Sequence, residues 1–363
     1  MNDYKNPRLV LVSKEVKPGQ VSWRSPSNLA IIKYWGKYGN QLPRNPSVSF
    51  TLDKAYTEMT VWYQAKSIPG EGVHLDFRFE DRPNEAFQDK MVRFLESILD
   101  IFPFLKQLEL SIASNNSFPH SSGIASSASS MSALALCLCS MERQLFDGLK
   151  TESEFLRKAS FIARLASGSA CRSVYPLAAV WGKSAELPES SDEYAIPYEE
   201  GLHDVFKTFH DDILIISRGE KSVSSRAGHG LMDGNIYADN RYLQARQRFH
   251  QLLSALRTGD VESFGRIAEA EALTLHALMM SSNPPYILMQ PNTITAIRKV
   301  QEFRQSTGLP LYFSLDAGPN LHLLYPEEIA LKAQVFIQDH LRPLCEGEQV
   351  IADVVGTGPL MRG

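Results

Sequence analysis

The chain has 363 residues, 44% of them hydrophobic and 21% charged, and a formal net charge of −4. This composition is typical of a globular protein with one or two well-buried domains, and it excludes an intrinsically disordered chain. The net charge is small and no block of lysines and arginines occurs, so we expect no nucleic-acid partner. No apolar run approaches the roughly 20 residues of a membrane-spanning helix, so we expect no membrane partner either.

The cysteines and the N-terminal residues predict a cytoplasmic location. Cys137, Cys139, Cys171 and Cys345 form no CxxC pair and lack the spacing of metal ligands. Buried, reduced thiols are the simplest interpretation of such cysteines. The first eight residues lack the apolar core of a signal peptide.

The first half of the chain alternates predicted strands with predicted helices. Apolar patterns predict strands over Leu9–Val12, Val21–Ser25, Val48–Leu52, Thr57–Tyr63, Val73–Phe79 and Leu108–Ala113. Pro26 is expected to end the second of these strands. Helical spacing of apolar residues predicts helices over Phe87–Phe102, Met131–Met141 and Glu154–Ala166.

A change in composition separates the two halves. Residues Pro188 to Gly201 are rich in Pro, Ser, Asp and Glu and show no periodicity, so we place a boundary there between domains 1–190 and 191–363. Further strands are predicted over Asp211–Ser217, Leu311–Leu315, Leu321–Tyr325 and Val350–Val355. Long helices are predicted over Ile236–Leu256, Val261–Ser281 and Thr293–Thr307. Strands and helices interleaved in this way indicate an α+β fold.

A polar loop of small residues, Asn115 to Ser130, leads into the predicted helix at Met131. Pro119 and Gly123 mark a turn in it, and its small side chains would let a phosphate approach the backbone. Backbone N–H groups and the positive end of the helix dipole favour an anion at such a place. No lysine follows at the spacing of a Walker loop. A serine-capped helix start without a ligand is the alternative.

Two short segments carry cations beside aromatic or small residues. Lys33 and Lys37 flank Tyr34-Trp35-Gly36, so both amines can face one anion. Arg172 follows the hydroxyl-rich turn Ser167–Cys171, and its planar guanidinium suits bidentate contact with a phosphate or carboxylate. Surface lysines beside buried aromatic residues, and a surface arginine after a turn, are the alternatives.

Two further segments complete the candidates. Asp316 ends an apolar strand and precedes Gly318-Pro319, so we expect a partly desolvated carboxylate, held in place, that suits an acid–base or orienting role. Lys221 to His229 is a basic, hydroxyl-rich loop that suits an anion clamp. A turn-starting aspartate and a solvated loop are the alternatives. Each segment is weak evidence alone, but together they predict one anion-binding site.

Three other kinds of site are disfavoured. Trp181-Gly182-Lys183-Ser184 is similar to the end of a Walker loop, but Leu177 stands where the first glycine is required. The nine histidines include no His-x-x-x-His pair, which argues against a catalytic zinc site. The Gly-x-Ser-x-Gly motif of serine hydrolases does not occur.

The order of these segments resembles that of the mevalonate diphosphate decarboxylases, a family of the GHMP small-molecule kinase superfamily. The resemblance covers the whole chain and rests on Ser25–Lys37, Leu42–Ser49, Asn115–Ser130, Ser167–Arg172, Asn283–Tyr286, Leu315–Asn320 and Val355–Pro359. It implies a GHMP kinase-like two-domain α+β fold. The N-terminal domain would be ribosomal protein S5 domain 2-like and the C-terminal domain ferredoxin-like. A homodimer is also implied.

The resemblance further implies a reaction. ATP and Mg2+ would serve the decarboxylation of (R)-5-diphosphomevalonate to isopentenyl diphosphate, with ADP, phosphate and CO2 as the other products. Asp316 would orient or deprotonate the C3 hydroxyl, Lys33 would lie near the transferred phosphoryl group, and Arg172 would hold the substrate carboxylate. Ser126 or Ser127 would lie near the γ-phosphate or Mg2+, with Ser127 placed among the catalytic residues, and no residue is assigned as a metal ligand.

The other site residues that the resemblance implies bind the substrate or ATP. Asn28 would support the carboxylate end of the substrate. The diphosphate would contact Tyr34, Trp35, Gly36, Lys37, Ser167, Gly168, Ser169 and Ser225. The ATP phosphates would lie against Ser121, Ser122, Gly123, Ile124, Ala125 and Ser126.

Two departures from the family pattern bear on the substrate. An arginine expected for the diphosphate is absent, with Ala86 in its place, and Lys90 or Arg93 is the expected substitute. His229 stands where the family has a methionine. Three alternatives to the main reaction follow: a decarboxylase of the monophosphate, a related mevalonate kinase, and a catalytically silent paralogue that binds phosphorylated metabolites.

Overall fold

The computed structural model describes residues 4–12, 16–67, 72–119, 124–219 and 222–362. Within these ranges lie fourteen strands, β1 to β14: Gly19–Ala30, Lys37–Tyr38, Leu42–Pro43, Ser47–Ala65, His74–Phe79, Arg82–Pro83, Leu108–Asn116, Ala178–Trp181, Ala195–Pro197, His210–Leu214, Tyr312–Ser314, Leu321–Tyr325, Val350–Ile351 and Leu360–Arg362. The same ranges contain nine α-helices, α1 to α9: Glu85–Ser97, Ser126–Phe146, Glu152–Ala166, Asp204–Lys207, Ser225–Gly230, Ala238–Thr258, Val261–Met280, Pro291–Thr307 and Ala330–Phe336. A short 3-10 helix, Gly168–Val174, follows α3.

A large mixed sheet carries most of the first half of the chain. Its main path is β14-β1-β4-β7-β5-β6, and β8 and β9 extend from another part of β4. β1, β4 and β7 pair antiparallel, whereas β5 is parallel to β7. β14 pairs with β1, so C-terminal residues complete this sheet.

β4 is a single strand of 19 residues where two strands were predicted. One end of β4 pairs with β8 and the other end, Thr57–Ala65, pairs with β7. The register of β1 against β4 shifts between Pro26 and Asn28. Because Pro26 has no N–H to donate, the shift lets β1 continue past it to Ala30. The prediction that Pro26 ends the strand is therefore wrong.

Helix α2 forms the centre of the N-terminal core. It packs on β1 and β4 with α3 beside it, and its residues from Ser132 to Glu142 are all buried. Small hydroxyl side chains hold it on the sheet, since Ser129 bonds to Thr57 and Ser132 bonds to Ser25. All four cysteines are buried and free, as predicted.

A second, antiparallel sheet carries the other half of the chain. Its strand order is β11-β12-β10-β13, and α8 and α9 contribute to the core beside it. α7 packs against β11, and α6 packs against α7. The ring of Phe50 in β4 stacks on Phe264 in α7 at 5.5 Å, with Phe206 also against Phe264. The two halves therefore share a packed hydrophobic cluster.

Several predicted elements differ from the structure in type or in length. Leu9–Val12 is not a strand, because the main chain of Leu11 bonds to the side chain of Gln107 instead. Helix α1 ends at Ser97, before the predicted Phe102, and β10 ends at Leu214. β13 ends at Ile351, after which the chain turns toward β4.

Helix α2 extends five residues beyond each end of the predicted Met131–Met141, so Ser126–Ser130 of the predicted loop are helical, and α5 lies where a loop to His229 was predicted. The other predicted strands and helices are present with smaller shifts of their bounds, and the α+β class is confirmed. None of the described helices combines the length and the apolar character that crossing a membrane requires. The boundary near residue 190 stays a prediction, since β9 and β14 lie beyond it and belong to the large sheet.

Candidate active site

Lys33 and Asp316 form an ion pair between the two halves of the molecule. Lys33 lies just beyond β1, and Asp316 lies just beyond β11. Lys33 Nζ is 2.8 Å from Asp316 Oδ1, and the side chains are 2% and 22% exposed. A buried ammonium needs a partner, and this carboxylate provides one while part of it stays accessible. The pair therefore places opposite charges at the junction of the two sheets.

Arg172 lies in the 3-10 helix and is 1% exposed. Its guanidinium donates to Asn28 Oδ1 and to the hydroxyls of Ser47 and Ser49. Burial lowers the pKa of Arg172, and the charge of Asp316 is close enough to oppose that shift. Within the described residues, all its hydrogen-bond partners are neutral. A buried guanidinium in such surroundings is suited to a ligand carboxylate or phosphate.

Tyr34 and Trp35 form an aromatic wall beside these charges. The centroid of the Tyr34 ring lies 4.7 Å from that of the Trp181 ring and 4.4 Å from that of the His229 imidazole. The centroid of the Trp35 ring lies 4.6 Å from that of the same imidazole. A Cβ on Gly168 would come within 2.8 Å of the Tyr34 hydroxyl, so only glycine leaves room there. Burial raises the pKa of Tyr34, and its hydroxyl has no hydrogen-bond partner in the described part of the chain. That hydroxyl is therefore protonated and has no acceptor among the described residues.

The turn after Trp35 is fixed by a neutral histidine. Gly36 has a φ of 95°, which favours glycine, and its N–H donates to His229 Nδ1 at 3.0 Å. Burial lowers the pKa of His229 to about 3, and the charge of Lys37 adds to this effect. Burial also lowers the pKa of Lys37, with nearby Arg226 as a further cause. Two cations and a neutral imidazole thus lie together at this end of the site.

The first turn of α2 reaches the same place. Ser127 Oγ lies 3.4 Å from Ser167 Oγ, so the start of this helix meets the turn that carries Arg172. Ala125 adopts a left-handed φ of 50°, and no side chain of the described residues caps the first turn of α2. The N–H groups of that turn are thus directed out of the helix end, which fits the phosphates of ATP. Three predicted ATP-binding residues lie outside the described residues: Ser121, Ser122 and Gly123.

The other predicted ATP contacts, Ile124, Ala125 and Ser126, lead into α2, and Ile124 is fixed by a hydrogen bond from Ser27 to its carbonyl. For Mg2+, the described residues contain no cluster of three His, Cys, Asp or Glu side chains. Mg2+ is usually bound by few protein oxygens together with phosphate oxygens and water. The hydroxyls of Ser126 and Ser127 fit that pattern.

Comparison with known proteins identifies the family. Residues 25–195 match the "Diphosphomevalonate decarboxylase-like N-terminal domain", and residues 212–357 match the "Mevalonate 5-diphosphate decarboxylase C-terminal domain". The diphosphomevalonate decarboxylase of Ganoderma lucidum is 30% identical over 326 residues, which are 85% of this chain and 79% of that relative. The chain belongs to the diphosphomevalonate decarboxylase family.

Solved structures of family members have the same fold. The mevalonate diphosphate decarboxylase from Enterococcus faecalis, described for its mevalonate diphosphate-mediated ATP binding, aligns with a TM-score of 0.79 and 27% identity. The alignment covers 95% of this chain and 99% of that chain. A complex of the protein named MDDEF with MVAPP, AMPPCP and magnesium aligns with a TM-score of 0.78, 28% identity and 95% and 99% coverage. The GHMP kinase-like two-domain fold is therefore confirmed.

The structure brings most of the residues predicted for this decarboxylase site together. Asn28 lies between Arg172 and the main chain of Ser169, donating to the Ser169 carbonyl at 3.3 Å. Ser225 is exposed at the start of α5, and no hydrogen bond within the described residues joins it to the others. Gly228 in the same helix lies against Trp35.

The proposed substitutes for the missing arginine remain predictions. Ala86 lies in the first turn of α1, and Lys90 and Arg93 are exposed on the same helix. Lys90 lies over the ring of Phe87 at 5.4 Å. Among the described residues, neither cation forms a hydrogen bond or an ion pair with a residue of the site. Arg226, which the sequence placed only in a basic loop, is the cation that the structure does bring near Lys37.

Sequence reasoning missed three residues that support the ion pair. Glu271 accepts the main-chain N–H of Lys33, Arg241 donates to the Lys33 carbonyl, and His276 contacts the carbonyl of Asp316. All three lie in α6 or α7. In the sequence they are ordinary polar positions of long helices, with no motif around them. Their burial is visible only in the folded chain.

Proposed function

We propose that this chain catalyses the ATP-dependent decarboxylation of (R)-5-diphosphomevalonate to isopentenyl diphosphate, with release of ADP, phosphate and CO2. The observation that carries the proposal is the Lys33–Asp316 pair beside the buried guanidinium of Arg172. The reaction needs a group that handles a hydroxyl proton, a cation near a transferred phosphoryl group, and a cation for a carboxylate. These three side chains supply those functions in one place.

ATP provides the phosphoryl group that makes the C3 hydroxyl a good leaving group, and Mg2+ reduces the negative charge on the phosphates. Asp316 orients this hydroxyl and accepts its proton, because one oxygen is held by Lys33 while the carboxylate remains partly exposed. The ammonium of Lys33 balances negative charge close to the oxygen that is phosphorylated. When phosphate leaves, positive charge develops at C3 and the bond to the carboxylate breaks.

Arg172 holds the carboxylate that becomes CO2. Its neutral partners Asn28, Ser47 and Ser49 fix the guanidinium plane without cancelling its charge. A bidentate contact with the substrate would therefore fix the direction of the bond that breaks. Asn28 has a supporting role, since its amide also bonds to Ser173 Oγ at 2.8 Å.

The diphosphate is proposed to bind at the turn that follows Tyr34. The Tyr34 hydroxyl lacks a described partner, and Lys37 lies near Arg226. Trp35 and Gly36 shape this turn, and Ser167, Gly168, Ser169 and Ser225 complete the predicted contacts. Because both cations are at least partly exposed, two phosphate groups can reach them from solvent.

ATP is proposed to bind with its phosphates at the start of α2. Ile124, Ala125 and Ser126 lie along this path, and Ser127 lies at its end beside Ser167. This arrangement brings the γ-phosphate toward the substrate side of the site. Homodimer formation and a cytoplasmic location remain proposals.

The deciding experiment measures ATP-dependent CO2 release from diphosphomevalonate and from monophosphomevalonate with Mg2+. We expect the diphosphate to be preferred and Asp316→Asn to lower the rate by at least about 100-fold, the usual contribution of a general base. ADP formation without CO2 would indicate a kinase. No turnover of either substrate, with unchanged cellular function of Asp316→Asn, would indicate a phosphometabolite-binding paralogue.

The absence of the expected arginine at Ala86 favours a second candidate, a decarboxylase of the monophosphate. One fewer cation matters less for a substrate with one fewer phosphate. Losing a charged hydrogen bond lowers affinity by about one to two orders of magnitude. A clear preference for the monophosphate in the same assay would select this candidate. A preference for the diphosphate, abolished in Arg226→Gln but not in Lys90→Gln, would show which cation replaces the arginine.

A further inference from the structure

Helix α7 touches the main chain of both members of the catalytic ion pair. Glu271 Oε2 accepts the N–H of Lys33 at 2.9 Å. Five residues later, His276 Nε2 lies 3.1 Å from the main-chain carbonyl of Asp316. A carbonyl oxygen can only accept, so Nε2 carries the proton in this contact. One rigid helix therefore contacts two residues that are 283 positions apart in the sequence.

The Glu271 contact is part of a buried charge cluster. Arg241 binds both oxygens of Glu271, at 2.7 and 2.6 Å, and Arg248 binds Oε1 at 2.9 Å. Burial raises the pKa of Glu271, but the two arginines and their hydrogen bonds more than offset this, so its pKa lies below the usual value. Glu271 is fully buried and Arg241 is 3% exposed. The carboxylate is thus ionised and fixed in direction.

The carbonyl of Lys33 is held as firmly as its N–H. Arg241 donates to it at 3.3 Å and Asn45 donates at 3.2 Å. The backbone of Lys33 is therefore held on both sides, by α6 and α7 of the C-terminal half and by Asn45. Neither Glu271 nor Arg241 contacts the Lys33 ammonium, which remains paired with Asp316.

We propose that Glu271 and His276 are positioning residues, and that α7 sets the separation of Lys33 and Asp316 by holding the main chain of each. The inference rests on the proposed function, because the separation matters only if this pair takes part in the reaction. Phosphoryl transfer depends strongly on geometry, and a displacement of about 1 Å can lower a rate about 100-fold. Neither residue touches the substrate in this proposal, so their loss affects turnover more than binding.

Two substitutions of His276 test the proposal. His276→Phe keeps a ring of similar size and removes the donor, whereas His276→Gln keeps an N–H donor on a side chain of similar reach. We expect His276→Phe to lower kcat for CO2 release by about 30- to 100-fold, with KM for both substrates within about threefold of wild type. His276→Gln should recover kcat to within about fivefold of wild type, since the hydrogen bond is restored.

Glu271→Gln tests the other contact. An amide cannot accept from Lys33 and from both arms of Arg241, because one of its two heavy atoms is a donor. We expect a loss of kcat similar to that of His276→Phe. Glu142→Gln is the matched control, since Glu142 is also a buried carboxylate paired with a buried cation, Lys158, but lies toward the far end of α2. It should lower thermal stability and leave kcat within about twofold of wild type.

Crystal structures of the two His276 variants give a readout that needs no turnover. His276→Phe should move Lys33 Nζ and Asp316 Oδ1 beyond hydrogen-bonding distance, and His276→Gln should keep them near 2.8 Å. The inference is overturned if folded His276→Phe and Glu271→Gln keep the wild-type kcat, if only KM rises, or if His276→Gln is as slow as His276→Phe. Inactive wild-type protein would instead refute the proposed function, and the crystal distances would still decide this inference.

Discussion

Arg172 is a buried cation whose described hydrogen-bond partners are an amide and two hydroxyls, from Asn28, Ser47 and Ser49. The nearby Asp316 carboxylate is bonded to Lys33, whereas a purely structural arginine in this position would be better stabilised by a carboxylate bonded to it directly. The arrangement is reasonable if the negative charge arrives with the substrate. The same logic separates Arg172 from Arg241, which has its carboxylate in Glu271.

Replacing Arg172 by lysine should show that geometry matters as well as charge. Lysine keeps the positive charge but not the planar fork, so it cannot bind three side chains and a carboxylate together. We expect kcat/KM for diphosphomevalonate to fall about tenfold to 100-fold in Arg172→Lys. Steady-state CO2 release measures this loss, and calorimetric binding of ATP serves as the control. An unchanged kcat/KM would remove Arg172 from the carboxylate site.

The neutral His229 predicts a pH dependence of stability. Its pKa is about 3 in the folded protein, well below the value of about 6.5 for an unfolded chain. As pH falls, the unfolded chain therefore binds the proton first. The contribution of the neutral His229 side chain to the free energy of unfolding is fully present above about pH 6.5. It decreases by about 1.4 kcal/mol per pH unit as the pH falls toward about 3.

His229→Met removes this titration. We expect the free energy of unfolding of the variant, relative to that of wild type, to increase steadily as the pH falls from about 6.5 to about 5. Denaturant unfolding at several pH values measures the difference. A difference between the two proteins that does not vary with pH would contradict a neutral, buried imidazole.

Sequence could predict Lys33, Arg172 and Asp316 because each stands in a motif with its own local signature. Glu271 could not be predicted in this way, since it acts on Lys33 from 238 positions away. Its contacts depend on how α7 packs, and the pattern of apolar residues in a helix does not encode which polar residue becomes buried. The residues proposed to contact ligands are thus more visible in this sequence than the residues that support them.

At the scale of elements, the long helices α6, α7 and α8 were predicted to within two residues at each end, whereas the short helices α4, α5 and α9 were not predicted and the longest strand was divided in two. The sequence predicts that Asp53 and Lys54 lie between two separate strands, yet β4 continues through both residues. Their N–H groups bond to the carboxylate of Asp353, 300 and 299 positions away. The strand is continuous because a distant residue satisfies its backbone there, which no local pattern shows.

The turn between α3 and β8 offers a direct test of packing around the site. A Cβ on Gly168 would lie 2.8 Å from the Tyr34 hydroxyl and 2.9 Å from the Trp181 ring. Gly168→Ala must therefore displace Tyr34, with a loss of stability of about 1–3 kcal/mol. We expect KM for diphosphomevalonate to rise several-fold, measured in the CO2 assay. Gly230→Ala is the control, since a Cβ there meets nothing within 4 Å.

If Gly168→Ala and Gly230→Ala behaved alike in stability and KM, the close approach of Tyr34 to this turn would be wrong. A loss of stability without a change in KM would separate the packing role of Tyr34 from its proposed contact with the diphosphate.

At the scale of the whole molecule, the segment after β13 fastens the C-terminal half to the large sheet. Asp353 accepts the N–H groups of Asp53, Lys54 and Ala55. Gly356 donates to the carbonyl of Thr51 at 2.7 Å. β14 then pairs with β1. The chain thus crosses from one sheet to the other twice.

Asp353→Asn should weaken this connection. One oxygen is replaced by a donor that faces backbone N–H groups, so at least one buried N–H loses its acceptor. We expect a loss of about 2–4 kcal/mol in the free energy of unfolding, seen as a lower melting temperature. Asp76→Asn, at a position 57% exposed, is the control and should change stability by less than about 0.5 kcal/mol. Equal melting temperatures for both variants would contradict the role of Asp353.

Because the ion pair joins the two halves, the recovery of CO2 release during refolding reports when the halves have docked. Lys33 and Asp316 belong to different sheets and are 283 positions apart, so their contact can form only after both sheets have formed and docked. Local structure forms much faster than such docking steps. After dilution from denaturant, CO2 release should therefore recover later than the far-UV circular dichroism signal. The delay between the two signals would be the docking time of the two halves.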